Sequence, residues 1–480
     1  MKLLLSLAVV ATTLALSPDP FALYEAKTSD NRATEAISLP NMDIEAEMGL
    51  AQAEWDLTKV FVAGKIHNVS ANFFDHAQKS TTDEGVLFSV AWKIDNALSL
   101  AIHFDRFDVP EGGAVWIIGD SETLGPWTHE TKWSRGNLMT PHVLGNQVTV
   151  QYFQSYQSLA EKAVASLHVD TVTGRFREFN AGRCNIQGIC AQPFVSGTPS
   201  TCNPACTPTD RSCSIQCTYL DQGNEKQWAG QDWADEEERG VVVMASAAGS
   251  RFCSGSFVNN YAGRPLVLTA AHCRVTGSAV VHKHWRSPSC QSTNNFDGDH
   301  VVAGDLVVRA GNGISDMALV EVQDSDLTDK IYLAGWEAGD RPAFGGNPAG
   351  PVQPAQSVVA LHHPARSNMK ISHGAIPVTP TRWSGSGDPT HWRIEYWTEG
   401  TTEPGSSGSP MYNQQTKRII GQLHGGRAAC PAHNGFDSYG AVWRSFQDSS
   451  DFRQWMVGGD ESITGMDGAR YNPNTERLAC

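Results

Sequence analysis

The apolar residues of this chain come in short runs, and that limits what it can fold into. Gly85-Val-Leu-Phe-Ser-Val-Ala-Trp92, Leu98-Ser-Leu-Ala-Ile-His-Phe104, Ala114-Val-Trp-Ile-Ile-Gly119 and Gln147-Val-Thr-Val-Gln-Tyr-Phe153 are rich in β-branched and aromatic residues and are separated by turn residues. That is the pattern of antiparallel strands. Residues 241–458 continue it, alternating short apolar runs with Gly, Ser, Asn and Pro. Strand candidates there include Gly240-Val-Val-Val-Met244, Pro265-Leu-Val-Leu-Thr269, Ser278-Ala-Val-Val-His282 and Ile419-Ile-Gly-Gln-Leu423. No helical periods alternate with these strands, so the chain reads as mainly β, a barrel or sandwich rather than a parallel βα fold. One helix is expected around residues 448–456.

A chain of 480 residues has room for two or three domains with cores of their own. Residues 1–17 read as a signal peptide. Lys2 gives a positive start, residues 3–16 are apolar but for Ser6, Thr12 and Thr13, and small residues precede Pro18. The run is too short to span a bilayer, so the product is expected to be secreted, with no membrane partner. Residues 18–183 contain no cysteine and read as a β-rich propeptide or stable module. Residues 184–470 read as the main domain, and 471–480 as a short tail.

Cysteine placement agrees with export. Of 11 cysteines none lies in residues 18–183, and clustering of the rest in an oxidising compartment suggests disulfides. Cys202, Cys206, Cys213 and Cys217, spaced Cys-x3-Cys-x6-Cys-x3-Cys, mark an insertion near residues 194–220. They lack a histidine and a Cys-x2-Cys pair, which favours a stapled insertion over a zinc site. Cys480 stands alone at the end. The formal charge is −15, and neither half of the chain is basic. Nucleic acid, whose backbone is bound by clustered Lys and Arg, is therefore not an expected partner.

Three local patterns occur in the order His, Asp, Ser: Leu268-Thr-Ala-Ala-His272-Cys273, Ser315-Asp316-Met-Ala-Leu-Val-Glu-Val322 and Gly405-Ser-Ser407-Gly-Ser-Pro410. Each alone has a bland reading as a core histidine, a strand-edge aspartate or a loop. Together they match the order of a trypsin-type triad. A serine hydroxyl needs a base to take its proton during attack on a carbonyl. His272 can do this and later protonate the leaving amine. Asp316 would hold the imidazole tautomer, and the backbone N–H groups of Gly405 and Ser407 would face the developing oxyanion. This chemistry asks for no cofactor and no metal, and its expected substrates are proteins or peptides.

At this point the chain resembles the trypsin superfamily and, within it, the bacterial lysyl endopeptidases. The resemblance rests on Cys184-Asn-Ile-Gln-Gly-Ile-Cys190, Gly255-Ser-Phe-Val-Asn-Asn260, Leu361-His-His-Pro364, Thr402-Glu-Pro-Gly-Ser-Ser-Gly-Ser-Pro410 and Gly421-Gln-Leu-His-Gly-Gly426. It implies a double β-barrel catalytic domain preceded by a β-rich propeptide, which would be a partner of the mature part. It also implies disulfides Cys184–Cys430, Cys190–Cys290 and Cys253–Cys273. It implies that Asp437 is the acid of the specificity pocket, accompanied by His424 and Trp383, with His424-Gly425-Gly426 on the pocket wall. A carboxylate there favours a basic residue, Lys before Arg, at the cleaved bond. Relatives of mammalian type carry an acid just before the nucleophile, which pairs with a newly cut N-terminus. Ser406 stands there, so activation by an inserted ammonium is not expected. Lysyl endopeptidase precursors tend to process themselves. Yet the basic residues near position 183 are Arg175, Arg177 and Arg183, and Lys162 is the nearest upstream lysine.

Overall fold

A computed structural model describes residues 35–177 apart from 58 and 131–135, and residues 233–472 apart from 234–235, 247, 276–278, 286–299, 302–305, 323–326, 328–330, 344, 367–368 and 430–434. The expected signal peptide, the cysteine-rich insertion, the boundary at residue 183, Cys184, Cys190, Cys290, Cys430 and Cys480 lie outside the described residues.

The first part is a sandwich of two sheets. One runs Ile37–Ser38, Gly85–Lys93, Gln147–Ser155, Gly113–Ile118, Thr123–Thr128, with Gln78–Thr81 also on Gly85–Lys93. The other runs Val143–Leu144, Ser99–Asp108, Ser166–Arg175, Gly64–Asn72, with Leu138–Met139 also on Ser99–Asp108. Every second residue of a strand faces the partner sheet, which is why Val148, Val150 and Tyr152 share one core with Leu100, Ile102 and Phe104. All four apolar runs of this part are strands. The strands Gly64–Asn72 and Ser166–Arg175 were not legible, since their polar residues hide the period of two. The acidic stretch before residue 60 contains a helix, Ile44–Leu57.

Two further sheets follow, almost wholly antiparallel. The first runs His300–Val301, Val280–Lys283, Val241–Ser246, Arg251–Val258, Leu266–Ala270, Met317–Val322, Leu306–Asn312. The second runs Lys370–Gly374, Val358–His362, Pro410–Asn413, Arg418–Gly426, Asp437–Ala441, His391–Ile394, Thr379–Thr381. The fold is thus mainly β, as expected, although ring closure of either sheet is not among the described pairings. The expected helix is present as Ser450–Val457, following a second helix, Val442–Asp448. Ser449 divides them, and its hydroxyl accepts from the N–H of Phe452 as an N-cap.

The two later sheets meet through polar contacts as well as apolar ones. The N–H of Ser254 in the first sheet donates to the carbonyl of Ser407 at 2.7 Å, and its hydroxyl donates to the carbonyl of Gly405 at 2.8 Å. Gln422 of the second sheet donates to the carbonyl of Ser315 at 2.8 Å. That carbonyl comes so close to Gly440 that a Cβ there would lie 1.7 Å from it. Only glycine permits the approach.

The sandwich is joined to the first of these sheets by a short strand, Phe61–Val62, which pairs antiparallel with Arg251–Val258. The N–H of Ala63 donates to Ser250 at 2.9 Å, and Phe61, Ala63 and Met139 share a buried cluster with Val243, Ala245, Phe252, Val280 and Trp285. The disulfide Cys253–Cys273 closes a span of 20 residues between Arg251–Val258 and the turn that carries His272. Closing a loop of that length stabilises a fold by about 3 kcal/mol. Replacing both cysteines by serine should lower the urea-unfolding free energy by about that amount, and an unchanged midpoint would refute the account.

Candidate active site

Each residue of the expected triad sits at an element end. His272 lies in the 3-10 turn Ala271–Cys273, which follows the strand Leu266–Ala270. Asp316 occupies the turn before Met317–Val322 with φ of 55°, a left-handed conformation that aspartate tolerates better than most residues. Ser407 lies in the loop before Pro410–Asn413. The first two come from one sheet and the third from the other, so the site exists only where the sheets meet.

The structure brings these three side chains together. Asp316 Oδ1 accepts the backbone N–H of His272 at 2.9 Å, and Oδ2 lies 2.5 Å from His272 Nδ1. His272 Nε2 is 2.8 Å from Ser407 Oγ. With a carboxylate at Nδ1, the proton belongs on that nitrogen, which leaves Nε2 to accept from the serine hydroxyl. Burial pushes the carboxyl of Asp316 up, but the charge and hydrogen bonds of His272, with the charge of His424, outweigh it and hold it below the usual range. Behind the nucleophile, Gly408 has φ of 79°, and a Cβ there would meet Thr269 Oγ1 at 2.2 Å and the carbonyl of Ser254 at 2.4 Å. The loop takes this path because glycine stands at that position.

His424 and Trp383 extend the site as a stack. The His424 ring lies 5.2 Å from that of His272 at 20°, and Trp383 covers its other face at 3.8 Å and 17°. His424 Nδ1 is 2.9 Å from His391 Nε2. Burial lowers His424 to about 4 and His391 to about 3, so both are neutral near pH 7. Ligand atoms of His272, Asp316 and His424 lie within 4.8 Å of one another. Two of them already hydrogen-bond each other and the third faces His391, which accounts for the cluster without an ion.

Asp437 lies on the strand Asp437–Ala441 and is fully buried. Its Oδ2 accepts from Trp397 Nε1 at 2.7 Å and from Thr402 Oγ1 at 2.6 Å. Gly425, paired with Ser438, lies beside it on Arg418–Gly426. The other oxygen faces an ammonium from the far end of the chain: Lys59 Nζ is 3.3 Å from Asp437 Oδ1. That ammonium also donates to Thr402 Oγ1 at 2.8 Å, to the carbonyl of Thr402 at 3.2 Å and to the carbonyl of Ala428. The carbonyl of Lys59 meanwhile accepts from the N–H of Gly405 at 2.5 Å and of Ser407 at 3.4 Å. These are the two donors expected to face an oxyanion.

Sequence reasoning missed Lys59, Thr402, Trp397 and the Ala428 carbonyl. Thr402 lies within a motif that resembled the lysyl endopeptidases, but its role depends on a partner 35 residues away. Trp397 and Ala428 carried no local signal. Lys59, followed by the apolar Val60-Phe61-Val62, offered a faint one.

Ser406, placed where an acid would serve ammonium-triggered activation, has another partner. Its Oγ is 2.8 Å from His362 Nδ1, and His362 Nε2 is 3.0 Å from Ser372 Oγ, which donates to the carbonyl of Thr401 at 3.0 Å. Ser406 Oγ also accepts from the N–H of Glu403 at 3.2 Å. Only one neutral tautomer satisfies all four: Ser406 donates to Nδ1 and Nε2–H donates to Ser372. Burial holds His362 well below its ordinary value, in keeping with a neutral ring.

Comparison with known proteins finds a family model that matches just under half of the chain. The model described as "Lysyl endopeptidase, C-terminal domain" matches residues 212–440, a span that contains His272, Asp316, Ser407 and Asp437. Similar solved structures include a Mycobacterium tuberculosis protease in an inactive form, at 20% identity, with 43% of this chain and 85% of that one covered and a TM-score of 0.26. Mouse neuropsin, a serine protease of the limbic system, gives 17%, 43%, 91% and 0.30. A serine endoprotease from Yersinia pestis gives 13%, 42%, 59% and 0.27. At such scores these likenesses carry no argument, and the family match and the site's own geometry bear the reading.

The buried neutral histidines make a pH prediction. His362 and His391 have folded values below the ordinary 6.5, so the unfolded chain binds more protons between those values. Stability is complete above about pH 6.5 and falls as pH drops below it, by up to about 2 kcal/mol per histidine at pH 5. Urea midpoints from pH 8 to 5 should decline accordingly. A flat profile would refute the neutral assignment.

Proposed function

We propose that this chain, a serine protease of trypsin type, is a secreted endopeptidase that hydrolyses peptide bonds after lysine. The observation that carries the reading is Lys59, whose carbonyl faces the N–H groups of Gly405 and Ser407 while its ammonium reaches Asp437. A substrate lysine placed the same way presents its carbonyl carbon to Ser407. His272 takes the hydroxyl proton as Ser407 attacks, Asp316 stabilises the imidazolium, and the two N–H groups receive the negative charge. His272 then protonates the leaving amine, and water repeats the cycle on the acyl-enzyme.

The pocket chemistry supports lysine over arginine. Three oxygens, Thr402 Oγ1, the Thr402 carbonyl and the Ala428 carbonyl, accept from one nitrogen, and Asp437 stands against it. That suits an ammonium with three donors on a compact head, and a planar guanidinium would overrun the same depth. The closing wall contains Trp397, which is itself tied to Asp437. A carboxylate buried this fully is costly without a cation, so uncharged residues are disfavoured. The N-terminal leader supports export, and residues 18–183 are read as a propeptide acting on the cleft of the same chain.

Digestion of a peptide library tests the specificity. Cleavage should follow Lys, with Arg about 10–100-fold slower, the usual reach of a misfitted pocket. Predominant cleavage after aromatic or small residues would sink the role of Asp437. For the chemistry, Ser407→Ala should cost on the order of 10⁶-fold in kcat and Asp316→Asn about 10⁴-fold. Asp437→Asn should lower kcat/KM for lysyl peptides by roughly 10²-fold or more, with little effect on reactivity toward a fluorophosphonate probe.

A further inference from the structure

We propose that the Lys59–Val60 peptide bond is a self-cleavage site, cut in cis by Ser407 of the same chain. The inference rests on the reading above and assigns that site a substrate within its own chain.

Both sides of the bond are held as a substrate's would be. On the acyl side the ammonium of Lys59 sits on Asp437 and Thr402, and its carbonyl oxygen sits on the N–H groups of Gly405 and Ser407. On the leaving side Val60 is fully buried, in a cluster with Ala270, Cys253 and Cys273 beside the turn of His272. Beyond it Phe61 and Val62 pair with Phe252 and Arg251, and Ala63 donates to Ser250. A backbone ladder of this kind fixes the register of an extended peptide, and the pocket then selects which bond faces the serine. Here both select the same bond. Ser407 Oγ, already 2.8 Å from its base, belongs to the residue whose N–H faces that carbonyl.

The chemistry balances with water alone. Ser407 Oγ bonds to the carbonyl carbon of Lys59 and passes its proton to His272 Nε2. The Lys59–Val60 C–N bond breaks, and the Val60 nitrogen takes that proton. Water then hydrolyses the ester, giving the Lys59 carboxylate, a Val60 amino terminus and a restored Ser407. Until this happens Lys59 fills the pocket that an outside lysine needs, so the uncut chain is latent. The Val60 end stays on the sandwich, since the strand Gly64–Asn72 belongs to its five-stranded sheet.

The test follows purified full-length chain by intact mass and N-terminal sequencing, alongside hydrolysis of a lysyl chromogenic peptide. Wild type should gain a Val60 N-terminus with a half-time independent of protein concentration, and peptide hydrolysis should rise with it. Ser407→Ala should remain uncut. Lys59→Gln should lose the Val60 end at least 100-fold, and Lys59→Arg, which keeps the charge should Gln impair folding, should form it at least tenfold more slowly. If wild type hydrolyses the lysyl peptide while no Val60 end forms, or the half-time of its formation shortens as protein concentration rises, the inference is overturned and the lysyl endopeptidase reading stands. If the protein neither hydrolyses that peptide nor labels with a fluorophosphonate, the reading beneath it fails.

Discussion

A single buried carboxylate governs the cleft. Asp437 is fully enclosed, its Oδ2 is occupied by Trp397 and Thr402, and its Oδ1 is turned to the pocket. Two hydrogen bonds offset part of the cost of burying that charge, and a cation must supply the rest. Thr402 works on both sides of the contact, since its hydroxyl donates to the carboxylate and accepts from the ammonium. The posture of Lys59, and with it the proposed substrate choice and latency, descends from one group that water does not reach.

The nucleophile depends on a different support. A chain with an acid before its serine can tie the loop to an ammonium released by cleavage. Ser406 instead donates a hydrogen bond to a neutral His362, which donates to Ser372, whose hydroxyl donates in turn to the carbonyl of Thr401. Such a chain of hydrogen bonds needs no newly cut end, so the Gly405 and Ser407 donors are already aimed in the uncut chain. That explains how the carbonyl of Lys59 can be held in that place at all. Under the proposed self-cleavage, what restrains the uncut protein is occupancy of the cleft rather than disorder of the site.

Much of this was legible in the sequence, and the failures share a cause. The strands Gly85–Lys93 and Gln147–Ser155 announce themselves because they are buried along most of their length, which writes continuous runs of β-branched and aromatic residues into them. The strand Gly64–Asn72 does not, since its buried face is the polar Gly64, His67 and little else. At the site, His272, Asp316 and Ser407 could be named because each lies in a local motif whose residue types the chemistry demands, and Asp437 because of the resemblance to lysyl endopeptidases. Lys59, Trp397 and Ala428 act through partners 40 to 369 residues away, and nothing local encodes them.

The position of Lys59 also bears on how substrates are recognised on the leaving side. Phe61 and Val62 are held by the backbone of Arg251 and Phe252, and Ala63 by the carbonyl of Ser250. Those groups lie on a strand that carries Cys253, and the disulfide ties the strand to the turn of His272. A ladder of main-chain hydrogen bonds is indifferent to side chains, so it grips any extended peptide in one register. On the proposed specificity, selection is thereby confined to the acyl side, where one ammonium reaches Asp437. The same division lets a tethered strand from the sandwich and a free substrate use one cleft in succession, since the edge left by the former is the edge the latter requires.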